Sequence, residues 1–320
     1  MSVREMNWLA GDVDRVESLL QTTAGASSHP LVSEACLHLI KAGGKRVRPT
    51  LVLLSSHTGD SREHATDLSA AAVELVHLAT LYHDDVMDGT ETRRGVPTAH
   101  SKWGTEVAVL AGDYLFACGC ALGADAGGEV PGILARAIAQ VCEGQIVETA
   151  SLNDPHRPVD DYIHTISLKT AALFRASCEL GAATSGASVA ERSALVTYGE
   201  KLGLAFQVVD DVLDLLGDPS VIGKQPGTDL KAGVFTAPVL LACERDPRLA
   251  TRLGNGDRDI EQVLPTLVAT GSIEATIEMA QGFRAEALAE LSVLGQGAWR
   301  DSLEDLIDGV LAQIPELPGD

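Results

Sequence analysis

Apolar residues recur every three or four positions along most of the 320-residue chain, which is the spacing of one face of an α-helix. In residues 3–22, for example, Val13, Val16 and Leu19 form an apolar stripe on an acidic segment. Residues 64–88 are apolar on most sides, which predicts a buried helix. The pattern predicts helices at residues 3–22, 31–41, 49–57, 64–88, 105–124, 130–152, 158–180 and 187–216.

No strand-like alternation extends over more than a few residues. Residues 217–233 are rich in Gly, Pro and Asp, which predicts a loop long enough to act as a mobile lid. The pattern of apolar and polar residues in 239–314 predicts four or five shorter amphipathic helices. We therefore expect one all-α domain over residues 1–320, a bundle of long antiparallel helices around a buried interior.

Two helix ends carry the same acidic motif, Asp-Asp, two apolar residues, Asp. We call Asp84, Asp85 and Asp88 the first Asp cluster; the second Asp cluster consists of Asp210, Asp211 and Asp214. The first and third carboxylates of each motif are four residues apart and share a helix face. Like charges at this spacing, at the negative end of a helix dipole, destabilise a bare helix. The repeated arrangement predicts a bound cation.

A glycine-rich basic stretch precedes the third predicted helix. It runs from Gly43 to Pro49 and contains Lys45, Arg46 and Arg48. Arginine can bind a phosphate through two parallel hydrogen bonds, and a helix N-terminus favours anions. The stretch, which we call the basic turn, is either an anion site or a solvated surface turn.

The composition limits the classes of partner. The formal net charge of -21 argues against nucleic acid and against recruitment to an anionic membrane surface. The most apolar segment, residues 107–124, is interrupted by Asp113 and several glycines, which predicts a buried helix and no transmembrane segment. The six cysteines lack zinc-site spacing and are expected as free thiols in a reducing cytoplasm.

Magnesium suits the acidic motifs, because it takes one or two carboxylates and completes its shell with water and substrate phosphate. Two facing clusters would hold two or three ions around one diphosphate, with Arg93, Arg94 and Lys224 on the following loops as clamps. Calcium is a weaker alternative, since neither cluster has an EF-hand ligand pattern. An allylic carbocation left by the diphosphate would need an apolar cavity and nearby dipoles, such as Thr170 and Gln207.

In these motifs the chain resembles the trans-isoprenyl diphosphate synthases, also called polyprenyl synthetases. The resemblance extends from about Gly43 to Pro238 and carries its motifs in the family's order. They are the basic turn, the first Asp cluster with Arg93-Arg94-Gly95, Lys169-Thr170, Phe206-Gln207 before the second Asp cluster, and Gly223-Lys224 with Asp229-Leu230. The resemblance implies the isoprenoid synthase fold, with a central cavity, a homodimer and a cytoplasmic location.

The same resemblance implies a role for each matching residue. Isopentenyl diphosphate would be held by Lys45, Arg48, His77 and Arg94. Magnesium, three ions per active site, would be bound by Asp84, Asp88, Asp210 and Asp214. The allylic diphosphate would be held by Arg93, Lys169 and Lys224, with Thr170 and Gln207 near the developing cation. Many members have a lysine after the glycine at position 233, where this chain has Val234. We expect Lys231 to substitute for it.

Product length should depend on the residues below the first Asp cluster. Ala79 and Thr80, five and four positions before Asp84, are small where short-chain members carry aromatic residues. We therefore expect about six to ten isoprene units (C30–C50) by the resemblance, with Tyr114 and Phe116 as candidate floors of the cavity. Phe at position 79 should shorten the product.

The sequence also allows other functions. Within the family, the alternative is a farnesyl or geranylgeranyl diphosphate synthase. A class I terpene cyclase also ionises a prenyl diphosphate, but it lacks the basic turn and the second Asp-Asp pair. A non-catalytic subunit of a heteromeric synthase would be expected to lose members of one cluster, and both clusters are complete here.

Overall fold

The computed structural model describes residues 7–60, 63–217 and 225–315. The chain forms two compact units. The first contains residues 1–138, 173–196 and 293–303, and the second contains residues 139–172, 197–292 and 304–320. The described residues are overwhelmingly helical, which confirms the predicted all-α class. The prediction of a single domain over residues 1–320 stays a prediction.

The described residues of the N-terminal half form seven α-helices and one hairpin with two strands of two residues each. A short 3-10 turn at Asn7–Leu9 leads into the first helix, and another, Ser56–Thr58, follows the third. The elements are α1 Ala10–Ala24, α2 Pro30–Lys41, α3 Val47–Ser55, α4 Glu63–Met87, β1 Thr92–Arg93, β2 Val96–Pro97, α5 Ala99–Trp103, α6 Thr105–Ala126 and α7 Val130–Ala150.

The C-terminal half continues with helices, one of which contains a π-helical turn. The elements are α8 Val159–Ile166, the π-helical turn Ser167–Ala171, α9 Ala172–Ser185, α10 Val189–Leu216, α11 Thr228–Ala232, α12 Ala237–Arg245, α13 Pro247–Gly254, α14 Ile260–Ala269, α15 Ser272–Leu291 and α16 Ala298–Leu311.

Helix α4 is the centre of the first unit. Its residues from Thr66 to Val76 are all buried, as the apolar run predicts. It packs antiparallel against α6, and two glycines of α6 allow the close approach. A Cβ on Gly119 would lie 3.0 Å from the carbonyl oxygen of Ala72, and one on Gly112 would lie 2.3 Å from the ring of His83. Glycine at these positions therefore brings α6 close to the end of α4 that carries the first Asp cluster.

Helix α12 has the corresponding place in the second unit. Ala237, Val239 and Leu240 are at most 1% exposed, and α12 packs against α8, α13, α14 and α15. Helices α13 and α14 begin at Asp246 and Asp259, whose carboxylates accept backbone N–H groups of the first turn. A Cβ on Gly227, just before α11, would lie 2.9 Å from Cβ of Ile260, so the start of α14 packs closely against this glycine.

Three local features differ from the sequence expectation. Thr92–Arg93 and Val96–Pro97 pair as a small antiparallel hairpin. Part of the predicted loop 217–233 is helix α11, bounded by the positive-φ glycines Gly227 and Gly233. The predicted helix 158–180 contains the π-helical turn. Glycine-rich sequence alone does not reveal such short elements, because tertiary contacts stabilise them.

One helix in the described part of the chain, α6, is long and apolar enough to cross a membrane by length and composition. About two-fifths of its most apolar window, 39%, is buried, and its buried side packs against α4. A core helix of a folded domain passes the same test.

Candidate active site

The first Asp cluster lies at the C-terminal end of α4, where the sequence predicted it. Asp84 is half-buried and Asp88 is exposed, whereas Asp85 is only 1% exposed. The Nε atom of Arg93 donates to Oδ1 of Asp85 over 2.6 Å. Burial raises the pKa of Asp85, and the charge of Arg93 opposes this shift. Arg93, predicted to hold diphosphate, is thus an ion-pair partner of the cluster in this conformation.

The hairpin after α4 turns the next arginine towards the basic turn. Arg94 has φ 53, in the left-handed region that non-glycine residues rarely adopt, and Gly95 follows with φ 77. The guanidinium of Arg94 donates to the carbonyl oxygen of Leu39 over 3.1 Å and to that of Gly43. The structure therefore joins two basic motifs that are about fifty residues apart in sequence.

The basic turn and His77 form one electrostatic cluster in the first unit. Burial, assisted by the charge of the neighbouring Arg94, lowers the pKa of Arg48 to about 10. The guanidinium of Arg48 lies 4.8 Å from the centre of the Phe174 ring. Burial and the charges of Arg48 and Arg94 also lower the pKa of His77 well below its usual value. His77 is therefore neutral near pH 7 and suits a hydrogen bond to an anion, not an added positive charge.

In the second unit, the π-helical turn presents Lys169 and Thr170. Lys169 forms an ion pair with Glu148 of α7. A Cβ on Gly144 would lie 2.5 Å from the backbone nitrogen of Lys169, so only glycine allows α7 to approach the turn this closely. Single π-helical turns occur frequently at functional sites, because the extra residue redirects the side chains around it.

A chain of hydrogen bonds connects Thr170 to the second Asp cluster. The Thr170 hydroxyl donates to Oε1 of Gln207 over 2.7 Å, and Nε2 of Gln207 donates to Oδ1 of Asp211 over 2.9 Å. The Tyr162 hydroxyl donates to Oδ2 of the same carboxylate. Asp211 is 1% exposed, and its burial raises its pKa well above the usual value. The chain fixes the orientation of the Gln207 amide.

The outer two carboxylates of the second Asp cluster differ. Asp210 is exposed, whereas Asp214 is 1% exposed. Oδ2 of Asp214 accepts the backbone N–H of Asp229 over 3.2 Å, and its carbonyl oxygen accepts the N–H of Gly227 over 2.7 Å. Asp214 therefore holds the segment that leads into α11. The roles of Asp210 and Asp214 as metal ligands stay predictions, and Asp210 is the more exposed of the two.

The segment after the second Asp cluster carries the remaining predicted cations. Lys224 and Gly223 lie outside the described residues. Lys231, predicted to replace the family lysine absent at Val234, is exposed on α11. The guanidinium of Arg258 donates to Oδ1 of Asn153, and a Cβ on Gly233 would lie 2.9 Å from Nη1 of Arg258. A cation thus lies beside Gly233, but it comes from the loop before α14.

Within residues 7–60, 63–217 and 225–315, no three His, Cys, Asp or Glu side chains form a group that could hold a metal ion by itself. The carboxylate pairs of the two Asp clusters fit magnesium, which usually takes one or two protein carboxylates and fills its other positions with water and phosphate. Asp84 and Asp88 offer hard oxygen donors on one helix edge, and Asp210 offers another. These pairs fit calcium less well, because calcium usually requires more protein oxygens.

The predicted chain-length residues lie on α4 and α6. Ala79 is 0% exposed, so its methyl group is packed in the core. Thr80 is half-buried, and its hydroxyl donates to the carbonyl oxygen of His77 over 2.7 Å. Tyr114 and Phe116 are also half-buried, and the Phe116 ring lies 5.6 Å from that of His83. Thr80 is thus more accessible than Ala79, and it shares the helix face of Asp84.

Several residues that hold the site residues in place were not predicted from the sequence. Glu17 and Glu74 bind Arg46, Glu148 binds Lys169, and Tyr162 binds Asp211. Glu74 lies three residues before His77 on the same helix face, so the sequence pattern could have indicated Glu74 as a residue of the site. The other three partners lie more than twenty residues from the groups they hold and leave no local pattern.

The polyprenyl synthetase family model matches residues 29–269. The chain is 36% identical over 304 residues to a nonaprenyl diphosphate synthase of Mycobacterium tuberculosis, covering 92% of this chain and 90% of that protein. A decaprenyl diphosphate synthase from Rhodobacter capsulatus has the same fold, with a TM-score of 0.92, 37% identity and coverage of 98% and 99%.

A polyprenyl synthase from Caulobacter crescentus, complexed with calcium and isoprenyl diphosphate, is similar as well. Its TM-score is 0.91 and its identity is 35%, with 97% of each chain covered. Residues 29–269, which the family model matches, include every described motif. The chain therefore belongs to the polyprenyl synthetase family.

Proposed function

We propose that this polyprenyl synthase condenses isopentenyl diphosphate with an allylic prenyl diphosphate and releases diphosphate. Each cycle lengthens the product by one five-carbon unit. The observation that carries this proposal is the basic cluster in the first unit, where Arg48, Arg94 and neutral His77 share one environment. Such a cluster suits a second diphosphate substrate, which a terpene cyclase does not need.

The residues divide between the two substrates. Lys45, Arg48, Arg94 and His77 bind the diphosphate of the homoallylic substrate. Lys169 binds the allylic diphosphate, with Lys224 as a further predicted cation. The Oε1 atom of Gln207 accepts one hydrogen bond from Thr170, which leaves its second lone pair for the developing allylic cation. The double bond of isopentenyl diphosphate attacks that cation, and the departing diphosphate takes the proton.

Asp84, Asp88 and Asp210 are the residues we assign to magnesium, with Asp214 as the weaker assignment. Bound magnesium would neutralise the diphosphate as it leaves. That both Asp clusters serve one diphosphate, with three ions, rests on the family resemblance of the sequence. In the conformation described, Arg93 binds Asp85 and supports the first Asp cluster instead of reaching substrate. The exposure of Lys231 leaves its amine available to a bound anion.

A direct assay tests the reaction. The purified chain is incubated with magnesium, isopentenyl diphosphate and an allylic primer, and the products are identified by mass spectrometry. We expect diphosphate release and a series of linear prenyl diphosphates that ends between C30 and C50. The control omits the primer. A cyclic hydrocarbon, or no reaction in the presence of metal, would contradict the proposal, and a series ending at C15 or C20 would contradict the chain length alone.

The proposed product length of C30 to C50 is supported by the names of two similar proteins, a nonaprenyl and a decaprenyl diphosphate synthase. We propose that the growing chain passes Thr80, the half-buried residue one turn before Asp84. Thr80→Phe should shorten the product to about three or four units. Ala79→Phe should instead destabilise the core, because Ala79 has no exposed surface.

The matched control for chain length is Ala285→Phe, on an exposed position of α15. It should leave the product series unchanged. If Thr80→Phe also gives the wild-type series while remaining folded and active, the proposed path of the chain is wrong.

We further propose that the protein is a cytoplasmic homodimer. Support for a reducing compartment comes from its six free cysteines, of which Cys36, Cys178 and Cys243 are buried. Support for a dimer comes from α6, whose outer face exposes Leu110, Ala117, Ala121 and Ala124 at helical spacing. Small residues along one face allow two helices to approach closely.

Sedimentation velocity tests the dimer. The wild type should sediment at twice the chain mass of 33.5 kDa. Ala117→Arg, which places a charge in the middle of the exposed face of α6, should shift it to the monomer. Ala285→Arg is the control and should not change the mass. A wild-type monomer at micromolar concentration would rule out the homodimer.

A further inference from the structure

Several hydrogen bonds within the protein hold Arg46 of the basic turn. Its Nε donates to Oε2 of Glu17 over 2.8 Å, and its Nη2 donates to Oε1 of the same carboxylate over 3.2 Å. Its Nη1 donates to Oε1 of Glu74 over 3.2 Å, and Nη2 also reaches the carbonyl oxygen of Ile40 over 3.2 Å. Arg46 is 8% exposed. Its guanidinium is therefore fully used inside the protein and is not free for a ligand.

The backbone of this residue is unusual as well. In the described parts of the chain, the non-glycine residues with positive φ are Arg46, Arg94 and Asn153, and Arg46 has φ 51. This conformation is disfavoured for a residue with a Cβ and persists only where surrounding contacts impose it. Lys45 precedes Arg46 and Arg48 follows it in the first turn of α3. The direction of both side chains therefore depends on the turn that Arg46 makes.

Gly44 connects the turn to Arg94. A Cβ on Gly44 would lie 2.9 Å from Nη1 of Arg46 and 3.0 Å from Cζ of Arg94. The two guanidiniums thus pack against the same glycine. Any movement of the Arg46 side chain would change the space that Arg94 occupies.

The two acidic partners also determine how the positive charge of the cluster is used. Glu74 is 2% exposed and attracts Arg46, Arg48 and Arg94, and its Oε1 accepts a hydrogen bond from Nη1 of Arg46. The Nε atom of Arg48 is buried without a hydrogen-bond partner among the described residues. With Arg46 bound by Glu17 and Glu74, the Nε atom of Arg48 stays a buried donor whose hydrogen bond a bound anion would satisfy.

We propose that Glu17, on the N-terminal helix α1, is a positioning residue for the homoallylic diphosphate. It holds the side chain of Arg46, and Arg46 holds the left-handed turn that directs Lys45 and Arg48. This inference rests on the proposed function, in which these two cations bind isopentenyl diphosphate. It extends the site to a helix that the sequence motifs do not include.

The test is a comparison of steady-state constants for Glu17→Gln and the wild type. We expect the KM for isopentenyl diphosphate to rise about tenfold, with the KM for the allylic primer and kcat changed less than twofold. Glu17→Asp keeps the charge and should recover part of the loss. If Glu17 acted only through its negative charge, its removal would strengthen anion binding and lower this KM. A lowered or unchanged KM for isopentenyl diphosphate would overturn the proposal.

Arg15→Gln is the matched control, because Arg15 also connects α1 to α4, through a 2.7 Å hydrogen bond to Asp67. It should loosen the same helix without raising the KM for isopentenyl diphosphate. An equal rise in both variants would show that docking of α1, and not the Arg46 contact, is responsible. Failure of the wild type to use isopentenyl diphosphate at all would contradict the proposed function, an outcome distinct from failure of this inference.

Discussion

The two Asp clusters have the same spacing, and the structure treats their middle residues differently. Asp85 is buried in the first unit beside an arginine, which donates to it over 2.6 Å. Asp211 is buried in the second unit between two neutral donors, the hydroxyl of Tyr162 and the amide of Gln207. One carboxylate is held by an opposite charge, and the other is held by a hydrogen-bond chain.

The residues of each motif have two different tasks. The middle Asp anchors the end of the helix in both clusters, whereas the first Asp is accessible in both. The third position differs, since Asp88 is exposed and Asp214 is buried against the turn before α11. Identical sequence motifs therefore do not imply identical roles at each position, because burial decides which oxygens reach a ligand.

The largest expected effect is on catalysis by the accessible positions. Asp84→Ala and Asp210→Ala should each lower kcat by about 10²–10³-fold, because charge that develops on the leaving diphosphate loses its stabilisation. Thermal unfolding of both variants without metal should stay close to that of the wild type. Steady-state kinetics at saturating magnesium measure the loss. A wild-type kcat for Asp210→Ala would remove the second Asp cluster from the metal site.

The middle positions should differ in stability. Asp85→Asn leaves Arg93 without its carboxylate and should lower the free energy of unfolding by about 2–3 kcal/mol. Asp211→Asn keeps one acceptor and removes a carboxyl group that lies near those of Asp210 and Asp229, so the cost should be about 1 kcal/mol or less. Urea unfolding of the two variants measures the difference, and equal losses would show that the two anchors are physically alike.

Asp214 should behave as a structural residue. Asp214→Ala removes the acceptor for the backbone N–H of Asp229 and should cost about 1–2 kcal/mol of unfolding free energy, as loss of a helix cap does. Asp210→Ala is the control and should not shift the melting temperature. If Asp214→Ala lowers kcat as strongly as Asp210→Ala without loss of stability, Asp214 is a metal ligand after all.

A smaller, pH-dependent effect on stability distinguishes Glu17 from Asp85 and Asp211, the middle residues of the two Asp clusters. Burial alone would raise the pKa of Glu17, but hydrogen bonds and charge from Arg46 hold it below the usual 4.5, whereas the pKa values of Asp85 and Asp211 are raised. A lowered carboxyl pKa contributes stability that is present above 4.5 and is lost as pH falls through the folded-state value.

Glu17→Gln should therefore be about 1 kcal/mol less stable than the wild type near neutral pH. The difference should shrink as the pH falls well below 4.5, where the wild-type carboxylate is protonated too. Urea unfolding at several pH values measures it. A difference that stays constant with pH would show that the Arg46 contact does not depend on the charge of Glu17.

Much of the fold followed from periodicity. The predicted helices 130–152 and 187–216 correspond to Val130–Ala150 and Val189–Leu216, and both Asp clusters lie at helix ends as expected. The all-α class and family membership are confirmed. The hairpin at Thr92–Pro97 and helix α11 were not predicted, because elements this short have little pattern of their own.

The sequence by itself determined the helices, the acidic and basic motifs, and so the class of reaction, because these depend on residues within one or two turns of each other. Only the tertiary structure decided which charged side chains pair with other residues of the protein and which can bind a ligand. Glu17 meets Arg46 across 29 positions, and Tyr162 meets Asp211 across 49. Such pairs form only when the chain between the two residues closes into a long loop. The sequence around each residue therefore does not predict its partner.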